Sequence, residues 1–186
     1  MKHNYTRYIF LMFLGFGLAL QGNLAYSDDV VSSTDSGKKT MSKFMINLAK
    51  FVTWPDASFG GEGAPYKYCI LGSDAIGPVL DETMDGKNAK NRSFDLHRLA
   101  LGDLETAKTC HVVFISATST DEIVPVIDEL GGLPVLTVGE IENFAQYGGM
   151  VGFYGKGRKV ALAINQKRLE SAGLSASSKL YRASTM

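Results

Sequence analysis

The first segment with a clear hydrophobic pattern is TMSKFMINLAKFV, residues 40–52. Its large apolar side chains recur every three or four positions, at Met41, Phe44, Met45, Leu48 and Val52. This spacing is typical of an amphipathic α-helix that buries one face. Pro55 follows closely and lacks the backbone N–H that a helix interior needs. The pattern therefore predicts a helix that Pro55 ends, with Trp54 covering the helix end.

Strand-like and helix-like segments alternate after this helix. YKYCILG is a short β-rich run, PVLDETM a helix, and RSFDLHRLA an alternating strand with Phe94 and Leu96 inward. CHVVFIS and LPVLTVGE are continuous apolar runs, which is typical of strands covered on both faces. Between these two runs, the capping-box spacing at Ser119 and the glycines at 131 and 132 predict another helix. IENFAQYGG is predicted to be a short helix that ends at its glycines.

The last third of the chain has a different pattern. In MVGFYGKGRKVALAIN, two strand-like runs flank the glycine turn at residues 155–157, which predicts an antiparallel hairpin. QKRLESAGLSASSKLYRAS then supplies helical pieces broken at Gly173. The order of elements predicts a single α/β domain whose central mixed sheet, parallel strands plus a C-terminal antiparallel hairpin, is flanked by helices.

The N-terminal 27 residues have the composition of an export signal. Lys2 and Arg7 precede an apolar run of about 13 residues, too short to span a bilayer comfortably. Small residues at Ala25 and Ser27 fit signal peptidase cleavage after either of them. We predict a cleaved signal peptide over residues 1–27, with an uncleaved amphipathic anchor as the alternative. Residues 28–39 are predicted to be a disordered lead-in and residues 40–186 the domain.

Net charge and cysteine content limit the classes of protein to which this chain can belong. Without residues 1–27 the chain has 17 basic and 19 acidic side chains, a net charge of −2. Nucleic-acid binders normally carry a basic excess, so no nucleic-acid partner is expected. The two cysteines, Cys69 and Cys110, are most simply one disulfide in an exported chain.

Catalytic and metal-binding patterns are incomplete. The turn at residues 72–77 follows a strand as a phosphate-binding loop does, but Pro78 stands where such a loop needs lysine. His97 and His111 each lack a second histidine at metal-ligand spacing. We therefore expect no catalytic residues, no metal and no cofactor.

Aromatic and sulfur side chains near loops are the remaining candidates for binding. Trp54, Tyr147, Met150 and Phe153 are candidates for a partner or ligand surface, with core packing as the alternative. A small ligand could also lie at the carboxyl ends of strands, between residues 72–76 and the loop after Ser116.

Seven ordered motifs resemble the YfiR-like family of periplasmic regulators, over about residues 40 through 183. The motifs are NLAKFVTWP, YCILG, CHVVFIS, LPVLTVGE, GGMVGF, KVALAIN and SAGLSASSKLYRAS. The resemblance implies a small α/β protein, often dimeric and without catalytic activity. It also maps the family's disulfide onto Cys69 and Cys110. Some members carry a second cysteine pair, but this chain has Ala145 and Gly152 in that region.

The resemblance further implies a function and partners. The best-known type represses an inner-membrane diguanylate cyclase by binding its periplasmic sensor region. An outer-membrane lipoprotein can relieve that repression, which connects envelope stress to cyclic-di-GMP and biofilm formation. We therefore expect a non-catalytic periplasmic regulator that represses a membrane diguanylate cyclase by protein contact. A periplasmic small-ligand binding or sensing module is the alternative, and whether the protein forms a homodimer is left open.

Overall fold

The computed structural model describes residues 30–156 and 159–184. The predicted signal peptide, residues 1–27, lies outside the described residues. The described part of the chain has a short 3₁₀ helix, Val31–Ser33, followed by α1, Asp35–Phe51. The side chain of Thr34 caps α1 by accepting a 3.0 Å hydrogen bond from the N–H of Gly37. Such a cap satisfies a donor that the first helical turn leaves without an intrahelical partner.

The predicted disordered lead-in is therefore wrong from residue 31 onward. Val31 and Ser32 are buried, and α1 starts five residues before residue 40, where the segment that predicted it begins. Ser32 donates hydrogen bonds from its N–H (2.9 Å) and its Oγ (2.7 Å) to the carboxylate of Glu140. The segment is polar, but a helix cap and this distant carboxylate fix it.

Nine strands, a second 3₁₀ helix (Asp56–Ser58) and five further α-helices follow in the described residues. The strands are β1 (Val52–Thr53), β2 (Tyr66–Gly72), β3 (Asn88–Ala89), β4 (Arg92–Leu99), β5 (Val112–Ser116), β6 (Leu136–Gly139), β7 (Val151–Lys156), β8 (Lys159–Ile164) and β9 (Ser175–Ala176). The helices are α2 (Pro78–Met84), α3 (Leu104–Ala107), α4 (Thr120–Glu129), α5 (Gln166–Ser171) and α6 (Ser178–Ala183).

The main sheet has the strand order β3-β4-β2-β5-β6-β7-β8. The five strands β4, β2, β5, β6 and β7 are parallel, while β3 and β8 pair antiparallel at the two edges. β1 and β9 form a separate antiparallel pair. The predicted α/β class, with parallel strands, a C-terminal antiparallel hairpin and flanking helices, is confirmed. Residues 157 and 158 of the hairpin turn lie outside the described residues.

The side-chain alternation of each strand divides the core between the two faces of the sheet. On β2, Tyr68 and Ile70 face the core that contains α1, α2, α5 and α6, whereas Cys69 and Leu71 face the core that contains α4. β5 is buried along its whole length, as expected for a strand covered on both faces. A strand in this position needs apolar side chains on both faces, which explains why the sequence of β5 is apolar without alternation.

The crossover from β6 to β7 differs from the prediction. Residues 141–148 form consecutive turns rather than the short helix predicted from IENFAQYGG. Asn143 adopts a left-handed conformation (φ 59°), which a right-handed helix does not accept. Its carbonyl accepts hydrogen bonds from the N–H groups of Gln146 (2.8 Å) and Tyr147 (3.1 Å). The crossover is therefore compact but irregular.

Candidate functional site: a buried corner and an open cleft

Trp54 fills the corner where α1 ends. Only 4% of its surface is exposed, and its indole N–H donates a 3.1 Å hydrogen bond to the carbonyl of His111. Its ring meets the ring of Tyr66 edge-on, with centroids 5.5 Å apart. The apolar ring of Trp54 is therefore packed in the core and its indole N–H is hydrogen-bonded, as a buried tryptophan requires. Trp54 is a core residue that joins the end of α1 to the residue before β5.

His111 is held as a neutral ring at the base of this corner. Its Nδ1 accepts a 2.9 Å hydrogen bond from the N–H of Lys67, so Nε2 carries the proton and donates to the carbonyl of Ser58 at 3.1 Å. The ring of Phe59 stacks on it at 4.3 Å. Burial lowers the pKa of His111, the charges of Lys67 and Arg92 lower it further, and the bond to Ser58 opposes them.

The disulfide between Cys69 and Cys110 fixes the residue next to His111. Both cysteines are buried, and their Cα atoms are 6.1 Å apart. The bond joins the middle of β2 to the turn that leads into β5, on the sheet face opposite Tyr68. The predicted pairing is thus present, in a position where it stabilises two neighbouring parallel strands.

An open cleft of about 700 Å³ lies beside the β7–β8 hairpin. The crossover, the hairpin, the start of α5 and the end of α6 surround it. Its lining residues are Ile141, Glu142, Asn143, Phe144, Ala145, Gln146, Gly152, Phe153, Tyr154, Ala163, Ile164, Asn165, Gln166, Tyr181 and Ser184. Gly152 and Ala163 are direct partners in the hairpin, and their small size leaves space above the sheet. The cleft is lined mainly by apolar atoms, with several polar side chains.

One wall of the cleft depends on the buried ring of Phe144. A Cβ atom added to Gly149 would lie 2.1 Å from this ring, and one added to Gly139 would lie 2.5 Å from it. Neither distance is compatible with a side chain, so both positions need glycine for the ring to pack. The insertion of Phe144 between these glycines positions the turns of residues 141–148.

A family model described as YfiR/HmsC-like matches residues 38–185. The chain belongs to the YfiR/HmsC-like family. Proteins of this family are in general non-catalytic periplasmic regulators that bind a membrane diguanylate cyclase. The resemblance carried by the seven ordered motifs is thereby confirmed.

In this YfiR/HmsC-like protein the four predicted surface residues do not form one surface. Trp54, Met150 and Phe153 are 4%, 1% and 1% exposed, so their side chains offer nothing to a partner while the core is intact. Phe153 points from β7 toward α1, where its ring lies 6.0 Å from that of Phe44. Tyr147 is 42% exposed. For the first three residues the core-packing alternative is the correct one.

The ligand loop predicted at residues 72–76 is closed by internal bonds in this YfiR/HmsC-like protein. The N–H of Ser73 donates a 3.0 Å hydrogen bond to the carbonyl of Ser116, and the two hydroxyls are 3.1 Å apart. The carboxylate of Asp74 accepts bonds from the N–H of Gly77 (2.8 Å) and from Arg98 (2.6 Å). These polar groups therefore hold the loop against the end of β5.

Arg98 also joins this loop to α2. Its guanidinium donates two hydrogen bonds to Asp81, at 2.5 and 3.1 Å. These bonds lower the pKa of Asp81 and raise that of Arg98. Asp81, on α2, is thus held in an ion pair with Arg98 from β4.

Of the four residues predicted as a partner or ligand surface, Phe153 alone belongs to the described residues that surround the cleft of this YfiR/HmsC-like protein. The cleft residues come from four separate segments, so no local pattern indicates it. The small residues Ala161 and Ala163 on alternate positions of β8 are the one available signal. Ala145 and Gly152 face each other here, since a Cβ added to Gly152 would lie 3.7 Å from the backbone nitrogen of Ala145.

Within residues 30–156 and 159–184, no group of three or more histidine, cysteine or acidic side chains is placed to hold a metal ion. Within the same ranges, no helix has the length and apolar character needed to cross a bilayer.

Proposed function

We propose that this protein is a non-catalytic periplasmic regulator that represses a membrane diguanylate cyclase by protein contact, and so tunes cyclic-di-GMP signalling and biofilm formation. The observation that carries the proposal is the family match over residues 38–185, which spans nearly all of the described chain. Its family members are in general non-catalytic regulators with a cyclase partner.

The roles of the titratable side chains support a non-catalytic function. His111 is buried and hydrogen-bonded as a neutral ring, and His97 pairs with Asp95 at 2.9 Å. Lys108 bridges Glu105 (2.8 Å) and Glu129 (2.5 Å), which joins α3 to α4. Each of these groups has a structural partner that accounts for its position.

The proposed partner is the periplasmic sensor region of the inner-membrane cyclase. An outer-membrane lipoprotein would relieve the repression, and a homodimer would present two copies of the contact surface. Export through the signal peptide of residues 1–27 is part of the same proposal. N-terminal sequencing of the protein from a periplasmic fraction tests it, with Tyr26 or Asp28 expected as the first residue.

Deleting the gene and measuring cellular cyclic-di-GMP tests the regulatory function. The level should rise in the deletion strain and return when the wild-type gene is restored. An unchanged level under several growth conditions contradicts the proposal. Capture of membrane proteins on the purified mature chain, with a cyclase as the expected product, identifies the partner.

Tyr147 is the member of the predicted surface set that the fold leaves accessible, so we propose it as a cyclase contact. A Tyr147→Ser protein should keep its melting temperature and repress more weakly. Val30, the other exposed large apolar side chain in the described residues, supplies the matched control. Equal repression by Tyr147→Ser and Val30→Ser would remove Tyr147 from the contact.

A further inference from the structure

The cleft beside the β7–β8 hairpin has the size and lining of a small-molecule site. Its volume of about 700 Å³ lies within the range of about 300–1,000 Å³ that such sites occupy. Gly152 and Ala163 supply an apolar floor, and Phe144 forms part of one wall. Tyr154 and Tyr181 add two phenol rings to the lining. The cleft can therefore cover a ligand with an apolar body of about one ring.

The charge of the lining selects among such ligands. Glu142 is the one charged side chain among the described residues that line the cleft. It is exposed, and the side-chain amide of Asn143 approaches its carboxylate at 3.4 Å. A cation entering the cleft meets this carboxylate and the faces of aromatic rings, both of which attract positive charge. An anion meets repulsion from Glu142 instead.

Several of the polar lining groups already have protein partners, among them Asn165 and Gln166. The side-chain N–H of Asn165 donates to the carbonyl of Ala145 at 2.9 Å, and its Oδ1 accepts from the N–H of Arg168 at 3.0 Å. Gln166 donates to Glu170 at 2.7 Å. These bonds hold the cleft wall in place, so they do not provide the recognition of a ligand. We assign recognition to Glu142, the charged side chain of the described lining, and to the partly exposed rings of Tyr154 and Tyr181.

We propose that this cleft binds a small organic cation with an apolar body, such as an arylalkyl amine. The site is separate from the ligand position predicted at residues 72–76. It goes beyond the proposed cyclase contact and does not depend on it. The carboxylate of Glu142 would meet the ammonium group, and the ring of the ligand would lie over Gly152 and Ala163.

Three phenyl compounds of similar size but different charge test the proposal. Phenethylamine, 2-phenylethanol and phenylacetate are titrated into the purified, oxidised mature chain by calorimetry at low salt. We expect phenethylamine to bind most tightly and phenylacetate about fivefold more weakly, because one exposed charge pair changes affinity by up to about this factor. Raising the salt concentration should weaken the amine selectively. No cyclase is present, so the result is independent of the proposed regulatory function.

Two variants locate the binding. Glu142→Gln should weaken the binding of phenethylamine about two- to fivefold and leave the affinity for 2-phenylethanol unchanged. Glu62→Gln, the same change in an exposed loop, is the matched control and should leave both unchanged. Ala163→Leu fills the cleft and should abolish binding of all three probes. Amide chemical shifts of the wild-type protein locate the binding site independently, since phenethylamine should change the shifts of residues 141–146 and 163–166.

Specific results would overturn the proposal. One is phenylacetate binding as tightly as phenethylamine, and another is no saturable binding of the amine below about 10 mM. A third is a set of shifted amides that excludes both segments of the cleft. Because the shift experiment uses the wild-type chain, it decides the matter even where Ala163→Leu fails to fold.

Discussion

Removing the disulfide is the perturbation whose size follows most directly from the structure. Cys69 and Cys110 are 41 residues apart in sequence and lie on one buried face of the sheet. In the unfolded oxidised chain the bond closes a loop of about 42 residues, which restricts the conformations that the chain can adopt. Breaking the bond releases this restriction, so the unfolded state gains entropy and the folded state loses stability.

The chain-entropy relation converts this loop into a free energy. A loop of about 42 residues corresponds to about 13 cal/mol/K, or about 4 kcal/mol at room temperature. Domains of ordinary stability unfold with about 5–15 kcal/mol, so the loss is a large fraction of the total. For a chain of this length, 186 residues or 159 without the predicted signal peptide, each kcal/mol changes the melting temperature by about 2–4 °C. The expected decrease is therefore about 8–16 °C.

The assay compares two ways of removing the bond. Reduction of the wild-type protein leaves both sulfur atoms in the core, while the double variant Cys69→Ala/Cys110→Ala removes them. Thermal unfolding is followed by circular dichroism, and mass spectrometry after alkylation confirms complete reduction. The double variant with and without reductant is the control, and its melting temperature should not respond.

Two outcomes would refute this reasoning. A fully reduced protein that melts less than about 3 °C below the oxidised one would show that the loop restriction contributes little. A reduced protein that stays folded but releases its cyclase partner would make the disulfide a switch. The structural role predicts instead that partner affinity at low temperature stays within a few-fold of the oxidised value.

Three further predictions concern the buried corner and the crossover. The folded-state pKa of His111 is lowered, so its contribution to the free energy of unfolding should be fully present above about pH 6.5 and should decrease as the pH falls below that value. Urea unfolding from pH 8 to 5 should show this slope, and His111→Phe should remove it. Trp54→Phe should cost about 1–3 kcal/mol in the same assay, since it removes a buried donor and part of a large side chain. Gly149→Ala should cost about 1–3 kcal/mol because its Cβ displaces the ring of Phe144, whereas Gly60→Ala, with open space around it, should be neutral.

Each of these predictions has its own contradicting result. A His111→Phe protein with an unchanged pH slope would assign the slope to another group. A Trp54→Ala protein that stays folded and loses its partner would return Trp54 to the contact surface. Equal stabilities of Gly149→Ala and Gly60→Ala would show that the Phe144 ring adapts without cost.

Local patterns were sufficient to predict the regular elements of this fold. The apolar stripe of α1, the continuous apolar run of β5 and the alternation of β8 each encode burial through their own period. The start of α1 was missed because its determinants are a polar cap and the bond from Ser32 to Glu140, 108 residues away. The crossover was missed because the left-handed Asn143 interrupts a segment whose composition suits a helix.

The functional surfaces were harder to predict than the elements for a physical reason. Whether Met150 or Phe153 is exposed depends on which helix covers that part of the sheet, and one sequence does not contain this information locally. The cleft is a space between segments rather than a sequence motif. Of the four candidate surface residues, only Tyr147 is exposed, because it lies in the irregular crossover rather than under a helix.

The corner at Trp54 constrains how a signal can reach a partner. Lys90, from the turn between β3 and β4, donates a 2.9 Å bond to the carbonyl of Val52 at the end of α1, and burial lowers its pKa. The carbonyl of His111 accepts both the indole N–H of Trp54 (3.1 Å) and the N–H of Leu136 (2.9 Å). Opening this corner therefore breaks bonds to several elements and the core at once. We expect a signal that changes partner affinity without unfolding to act at the crossover and its cleft, where the exposed side chains are.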